Sequence, residues 1–195
     1  MPRFLTIATV LLALAMPLPS RAATGEAGMA KAKEAATALQ RGRADEAVLL
    51  YTAALDDSGL SADRRAAFFN DRGVANARLN RLRAAIDDFN ASVRLAPESA
   101  SAYNNRGNVL LALGLSGEAE KDFNRALTLA PGYTAAYVNR ANARSLAGDT
   151  QGALKDFSHA ARLSPKAPAA YGGPRPADPS PHPPHCARPA FNPGG

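Results

Sequence analysis

The sequence repeats with a period of about 34 residues between positions 66 and 167, and this periodicity restricts the possible folds more than any other feature. The columns in phase are Pro97, Pro131 and Pro165; Phe89, Phe123 and Phe157; Ala85, Ala119 and Ala153; Phe69, Tyr103 and Tyr137; and Leu95, Leu129 and Leu163. Within each unit the apolar residues follow helical spacing, and a turn signal such as "LGLSGE" separates two helix-length stretches. Neither helix has an apolar face that it could bury alone, so neighbouring units must stack and share one core.

Small residues stand opposite large ones at fixed positions in each unit. Gly73, Gly107 and Ala141 are small where two helices must approach closely, and the aromatic columns supply the large partners. This pattern resembles the tetratricopeptide repeat, a unit of about 34 residues with an aromatic early in its first helix and a Gly or Ala four positions later. Ala, an aromatic residue, Ala and Pro follow in and after the second helix.

The resemblance covers units 66–99, 100–133 and 134–167. It implies an all-α, right-handed solenoid of stacked antiparallel helix pairs that works as a non-catalytic protein-interaction or peptide-interaction module.

A weaker copy precedes these units at residues 28–61. Lys31 replaces its early aromatic residue, Gly59 replaces its proline, and four extra residues (62–65) interrupt the period before the next unit. The columns that it keeps are Ala47, Tyr51 and Ala54. Terminal repeats are commonly atypical because one side faces water, so we interpret 28–61 as a degenerate first repeat.

An arginine occupies the first helix of each regular unit at a position where the family usually has leucine, and an aspartate follows it at the same interval every time. The pairs are Arg72 with Asp88, Arg106 with Asp122, and Arg140 with Asp156. The degenerate copy lacks both partners and has Glu34 and Leu50 instead. We expect each arginine to cross to the aspartate of the second helix, its stem on apolar surface and its head held by the carboxylate. The alternative is that these residues are solvated helix charges.

Polar residues that flank the arginines predict a binding groove. The resemblance implies that first helices line the concave side of the solenoid. Asparagine amides donate and accept hydrogen bonds, which suits the backbone of an extended peptide; alternatively, they are ordinary surface residues. The predicted groove residues are Asn70, Asp71, Arg78, Ser101, Asn104, Asn105, Asn108, Asn139 and Asn142. The lysines with which peptide-binding relatives clamp a terminal carboxylate are missing, which argues against that binding mode.

Residues 1–22 have the pattern of a secretory signal. Arg3 precedes an apolar stretch over 4–16, and Pro17, Pro19 and the small-residue run "SRAA" follow. The apolar stretch is shorter than the roughly 20 residues that a membrane-spanning helix needs. We therefore predict a signal peptide at 1–22, an exported protein that is periplasmic or secreted, and no stable membrane insertion.

The formal net charge of +6 does not predict nucleic-acid binding, because much of it lies at the two ends of the chain. Residues 23–165 contain 18 basic and 16 acidic residues, so the repeats are nearly neutral. A phosphate-binding surface needs a clustered basic stripe. We expect no nucleic-acid partner.

Catalytic and metal-binding patterns are weak in this sequence. His159 stands alone on a predicted second helix, and no Gly-rich phosphate loop follows a strand. The "HPPHC" run, with His182, His185 and Cys186, lies in a proline-rich stretch that cannot supply the defined scaffold of a metal site. We expect no catalytic, cofactor-binding or metal-binding residue.

The last segment, 168–195, is rich in proline and glycine, and it holds nine of the 15 prolines of the chain. It begins like a further repeat, because Tyr171 lies one period after Tyr137. One interpretation is a disordered tail; another is a repeat interrupted by a frameshift or truncation. In the second case the chain would be part of a larger scaffold or of a regulatory subunit of an envelope enzyme complex. An uncapped face around Phe157 would then favour self-association.

Overall fold

The computed structural model describes residues 25–164, and this range contains eight α-helices and no strand. The helices are α1 (Glu26–Gln40), α2 (Ala44–Leu55), α3 (Ala62–Arg78), α4 (Leu82–Leu95), α5 (Ala100–Ala112), α6 (Ser116–Leu129), α7 (Thr134–Leu146) and α8 (Thr150–Leu163). The predictions of a signal peptide at 1–22 and of a tail at 168–195 fall outside the described residues.

Consecutive helices form hairpins, α1 with α2, α3 with α4, α5 with α6, and α7 with α8, and each hairpin also packs on the next one. Because the connecting turns are short, the helices of a pair run antiparallel. The all-α solenoid of stacked helix pairs predicted from the period is thereby confirmed.

The same turn closes each hairpin. Gly42, Gly114 and Gly148 have positive φ angles of 77°, 77° and 86°, and Asn80 takes that position in α3–α4 with φ 58°. Glycine adopts this left-handed conformation without a steric penalty, and asparagine tolerates it better than most residues. The residue after it donates its N–H five residues back, as Leu115 does to the Leu110 carbonyl at 2.9 Å. This Schellman pattern ends the first helix and reverses the chain.

The core of the first two regular pairs is built from a glycine against a phenylalanine ring. A Cβ added to Gly73 would lie 2.8 Å from Cε1 of Phe89, and one added to Gly107 would lie 2.6 Å from Cε1 of Phe123. Both distances are shorter than the closest approach of two carbon atoms that are not bonded to each other. Glycine follows the arginine because the ring of the second helix lies directly against its Cα.

The four extra residues 62–65 lengthen a helix and add no loop. α3 has 17 residues, whereas α5 and α7 have 13 each, and the additional turn of α3 is at its N-terminus. Ser61 caps this turn, because its side chain accepts a hydrogen bond from the Arg64 N–H at 3.4 Å. The stack therefore continues through the interruption of the sequence period.

Candidate functional site

The odd-numbered helices contact one another across successive pairs, α1 with α3, α3 with α5, and α5 with α7. We call the surface that these four helices form the inner-helix face. In a stack of helix pairs, the helices that approach each other across pairs line the inside of the curve. The predicted groove residues all lie on α3, α5 and α7 and thus on helices of this face.

Asparagine side chains connect neighbouring helices of the inner-helix face. The Asn105 amide donates to Oδ1 of Asn70 at 3.0 Å, which joins α5 to α3. One pair further on, the Asn139 amide donates to Oδ1 of Asn104 at 2.9 Å, which joins α7 to α5. Asn104 is buried, so it offers little surface to a ligand. Part of the asparagine pattern thus holds the inner helices together.

The three arginines and three aspartates form bidentate pairs. Nε and Nη2 of Arg106 donate to the two oxygens of Asp122, both at 2.7 Å. Arg140 contacts Asp156 in the same way at 2.8 and 2.7 Å. In the first regular unit, Nη2 of Arg72 lies 2.7 Å from Oδ1 of Asp88. Each pair links the two helices of one hairpin through two parallel hydrogen bonds.

These pairs lie largely out of solvent. The Arg106 and Asp122 side chains are 21% and 8% exposed. The guanidinium carbons lie 5.4 to 5.5 Å from the ring centroids of the aromatic residues three positions earlier, within the range of cation–π contacts. The hydrogen bond to Asp122 is the main reason why the pKa of Arg106 is raised. Each guanidinium is thus fixed by a carboxylate at its edge and a ring beneath it.

The third nitrogen of each arginine reaches the preceding helix pair. Nη1 of Arg106 donates to Oδ1 of Asn90 at 2.8 Å, and Nη1 of Arg140 donates to Oδ1 of Asn124. In the first regular unit, Nη1 of Arg72 donates to Oγ1 of Thr52 at 3.0 Å. Each arginine therefore joins three helices. These acceptors were not predicted from the sequence, although Asn90 and Asn124 are themselves one period apart.

The aspartates differ in their second donor. Asp88 also accepts from the Asn76 amide at 2.9 Å. Asp156 also accepts from Nη1 of Arg144 at 2.8 Å. In the middle unit the corresponding position is Leu110, whose side chain cannot donate a hydrogen bond. Among residues 25–164, Arg106 is therefore the only residue that donates to the Asp122 carboxylate. Asp122 thus depends most on its arginine.

A crevice of about 320 Å³ opens between α3 and α5 on the inner-helix face. Its apolar floor and polar rim are formed by Val74, Ala77, Arg78, Phe89, Asn105, Asn108 and Val109. Three of the predicted groove residues, Arg78, Asn105 and Asn108, meet here. Arg78 and Asn108 are exposed. An apolar floor with a few polar groups is typical of sites that bind ligands.

Other predicted groove residues lie around a second crevice, also of about 320 Å³, where the ends of α3, α4 and α5 meet. Asn70, Asp71 and Ser101 line this crevice. Asn142 is exposed on α7, one pair further along. The predicted residues are thus distributed along the inner-helix face and do not converge on one point.

Two further features of residues 25–164 bear on the kind of site. No group of three or more His, Cys, Asp or Glu side chains in this range is placed to hold a metal ion. None of its helices combines the length and the apolar character needed to cross a bilayer. His182, His185 and Cys186 lie outside the described residues.

Stacked helix hairpins with a regular sequence period and an open inner-helix face define a helical-repeat solenoid. The family model described as tetratricopeptide repeat matches residues 32–100, 70–134 and 104–168. The chain therefore belongs to the tetratricopeptide repeat family. A comparison with curated proteins finds no match.

Solved structures with this fold include MamA from Desulfovibrio magneticus RS-1, which is 21% identical over 74% of this chain and 80% of its own, with a TM-score of 0.65. The Arabidopsis OM64 TPR domain is 26% identical over 63% of this chain and 98% of its own, with a TM-score of 0.59. The first TPR of Spaghetti (RPAP3), solved bound to the HSP90 peptide SRMEEVD, is 25% identical over 64% of this chain and 95% of its own, with a TM-score of 0.59.

Proposed function

We propose that this chain is an interaction module that binds an extended segment of a partner protein on its inner-helix face. The crevice between α3 and α5 carries the proposal, because it combines an apolar floor with the exposed polar groups of Arg78 and Asn108. Apolar pockets would accept side chains of the segment, and the amide and guanidinium groups would bind its backbone. The Spaghetti domain, which was solved with a peptide bound, supports this use of the fold.

The proposed binding mode differs from capture of a terminal carboxylate by a cluster of lysines. Among residues 25–164, the exposed asparagines of the inner-helix face are Asn108 and Asn142, and Asn70, Asn105 and Asn139 are half-buried beside them. Neutral amides bind a peptide backbone and do not need a charged chain end. We therefore expect internal segments of a partner to bind as well as terminal ones.

A selection from a library of displayed random peptides, with the full chain as bait, tests this proposal. Ala77→Gln would place a longer side chain inside the α3–α5 crevice, and Ala84→Gln makes the same change on the exposed surface of α4. Selected peptides should bind the parent and the Ala84→Gln variant equally. Their affinity for the Ala77→Gln variant should fall at least about tenfold, as expected when a well-packed pocket is blocked.

The proposal is overturned if no peptide is enriched, or if Ala77→Gln leaves every affinity unchanged. Thermal unfolding of both variants controls for stability, since glutamine is a good helix former and either helix should retain its structure. Asn108→Leu provides a second change at the rim of the same crevice without blocking its floor.

We also propose that the protein is exported. The basic start, the apolar stretch of 4–16 and the small-residue run at 20–23 support this proposal. Fractionation of the source cells, followed by mass spectrometry of the intact chain, tests it. A mature form that begins near Ala23, outside the cytoplasm, is expected. A full-length chain in the cytoplasm would contradict export and would leave the peptide-binding proposal unaffected.

A further inference from the structure

We propose that a crevice between α1 and α3 binds a lysine or arginine side chain of the partner segment, with the Asp71 carboxylate as its counter-ion. This inference rests on the proposed function and defines the chemistry of one part of the ligand. The crevice lies at the first junction of the inner-helix face, and it shares Asp71 with the crevice at the ends of α3, α4 and α5.

The crevice has a volume of about 490 Å³ and is almost entirely apolar. Its lining residues are Met29, Ala30, Ala32, Lys33, Ala36, Tyr51, Phe68 and Asp71. Phe68 and Tyr51 are buried, whereas Met29 is 38% exposed. The volume falls within the range of about 300–1,000 Å³ that is common for ligand sites. An aliphatic stem would therefore find apolar walls here.

Asp71 is the acidic group of this crevice, and it has no cationic partner among residues 25–164. Its two oxygens accept hydrogen bonds from the Tyr51 hydroxyl at 3.3 Å and from the Asn70 amide at 3.2 Å. Lys33 lines the same crevice but forms no ion pair with Asp71. A carboxylate has about four acceptor sites, so Asp71 retains capacity for a guanidinium or ammonium group.

Burial raises the pKa of Asp71, and the hydrogen bonds from Asn70 and Tyr51 offset part of this effect. The charged form is therefore less well solvated here than it would be in water. A cation that enters the crevice would stabilise the charged form of Asp71. Its attraction to the carboxylate would be stronger there than at an open surface.

The negative charge of Asp71 is not needed to satisfy Tyr51. A neutral amide oxygen would also accept the hydrogen bond of the buried hydroxyl. In the next two junctions the phenol and the carboxylate are replaced together, by Phe89 with Asn105 and by Phe123 with Asn139. The charge is thus specific to the first junction, where the apolar crevice lies. This coincidence points to a ligand with a positive charge.

The test follows the ε-methyl NMR signals of the full chain labelled with ¹³C-methyl methionine. The chain contains three methionines, and Met29 lies in the crevice, so the loss of one signal in Met29→Leu assigns it. The probes are n-butylguanidinium and its uncharged isostere n-butylurea. Butylguanidinium should shift the Met29 signal to saturation, and butylurea should shift it at least tenfold less at the same concentration.

Asp71→Asn is the decisive variant, because it retains an acceptor for Tyr51 and copies the residue at the same column of the next two units. The affinity for butylguanidinium should fall at least tenfold. Asp87→Asn, which removes an exposed carboxylate of α4, should leave the affinity unchanged. Equal affinities for parent and Asp71→Asn, or equal shifts with both probes, would overturn the proposal.

The library selection separates this inference from the proposed function. If peptides bind through the α3–α5 crevice without a preferred basic residue and without sensitivity to Asp71→Asn, the cation site is wrong and the interaction module stands. If butylguanidinium binds as expected but no peptide is enriched, the crevice accepts cations and the peptide-binding proposal fails.

Discussion

Individual arginines determine how the helices of this protein are joined. Each one donates to an aspartate in its own hairpin and to a side chain of the preceding hairpin. The Arg–Asp pairs could be anticipated because both members recur once in every regular unit and are lost together in the first copy. The acceptors Thr52, Asn90 and Asn124 could not be anticipated in the same way, since the direction of a third N–H group depends on how hairpins stack.

We predict strong energetic coupling between Arg106 and Asp122. Either single change to alanine leaves a largely buried charge without its partner, so each should lower the free energy of unfolding by about 3–5 kcal/mol. The double variant should lose less free energy of unfolding than the two single variants together, because neither charge is then left without its partner. Urea unfolding of the four proteins measures the coupling.

The exposed pair of Lys121 and Glu118 is the control for this cycle, because it also involves α6 but lies in solvent, with side chains 72% and 59% exposed. Its double-mutant cycle should show no measurable coupling. A coupling near zero at Arg106 and Asp122 as well would mean that the geometry of the buried pair has no energetic consequence.

We predict that Asp71→Asn stabilises the protein and that the gain depends on pH. The folded-state pKa of Asp71 is raised by burial, so the folded chain binds this proton more tightly than the unfolded chain. The stabilisation from this more tightly bound proton is fully present below the pKa that Asp71 has in the unfolded chain. It is lost as the pH rises through the raised pKa of Asp71 in the folded chain. The variant should therefore be more stable than the parent at pH 7, and the difference should shrink toward pH 4.

Thermal unfolding of parent and variant across this pH range checks the prediction. Other carboxylates affect both proteins alike and cancel in the difference. A gap that widens as pH falls would contradict the assigned direction of the pKa shift.

At the scale of helices, the sequence predicted the architecture well because each unit repeats the same apolar and turn positions. Two features could not be derived from spacing. Asn104 is buried between α5 and α7, although Asn108, one turn further along α5, is exposed. Residues 62–65 break the period yet extend α3, since an added helical turn leaves the following contacts in place.

Close approach of helices within a pair makes Gly107→Ala unfavourable. The new Cβ would lie 2.6 Å from the Phe123 ring, which must then move within a packed core. We expect this clash to lower the free energy of unfolding by about 1–3 kcal/mol. The better helix propensity of alanine should offset up to about 1 kcal/mol of this loss.

Gly117→Ala is the matched control, because no atom other than its neighbours in the chain and the adjoining helix backbone lies within 4 Å of its added Cβ. It should be neutral or stabilise the protein by up to about 1 kcal/mol. Chemical denaturation compares both variants with the parent. If Gly107→Ala is as stable as Gly117→Ala, the ring can move freely and the tight contact does not explain the glycine.

Across the whole molecule, stability should fall toward the last helix pair. Phe123 is fully buried between hairpins, whereas Phe157 of α8 is half-buried and Leu154 is 49% exposed. Repeat proteins open locally where neighbour contacts are few. Amide hydrogen exchange should therefore be at least about tenfold faster in α8 than in α6. Equal protection of both helices would contradict this gradient of stability.

The three-helix arginine contact also bears on how such an array could grow. If residues 100–133 were duplicated in tandem, the new Arg106 would meet the old Asn124, and Arg140 would meet the new Asn124. The asparagine bond between α5 and α7 would likewise be formed at both junctions, by the new Asn105 with the old Asn104 and by Asn139 with the new Asn104. A single in-frame duplication of this unit would thus create a longer solenoid in which the arginine–asparagine and asparagine–asparagine contacts of each junction are already present, without any compensating substitution.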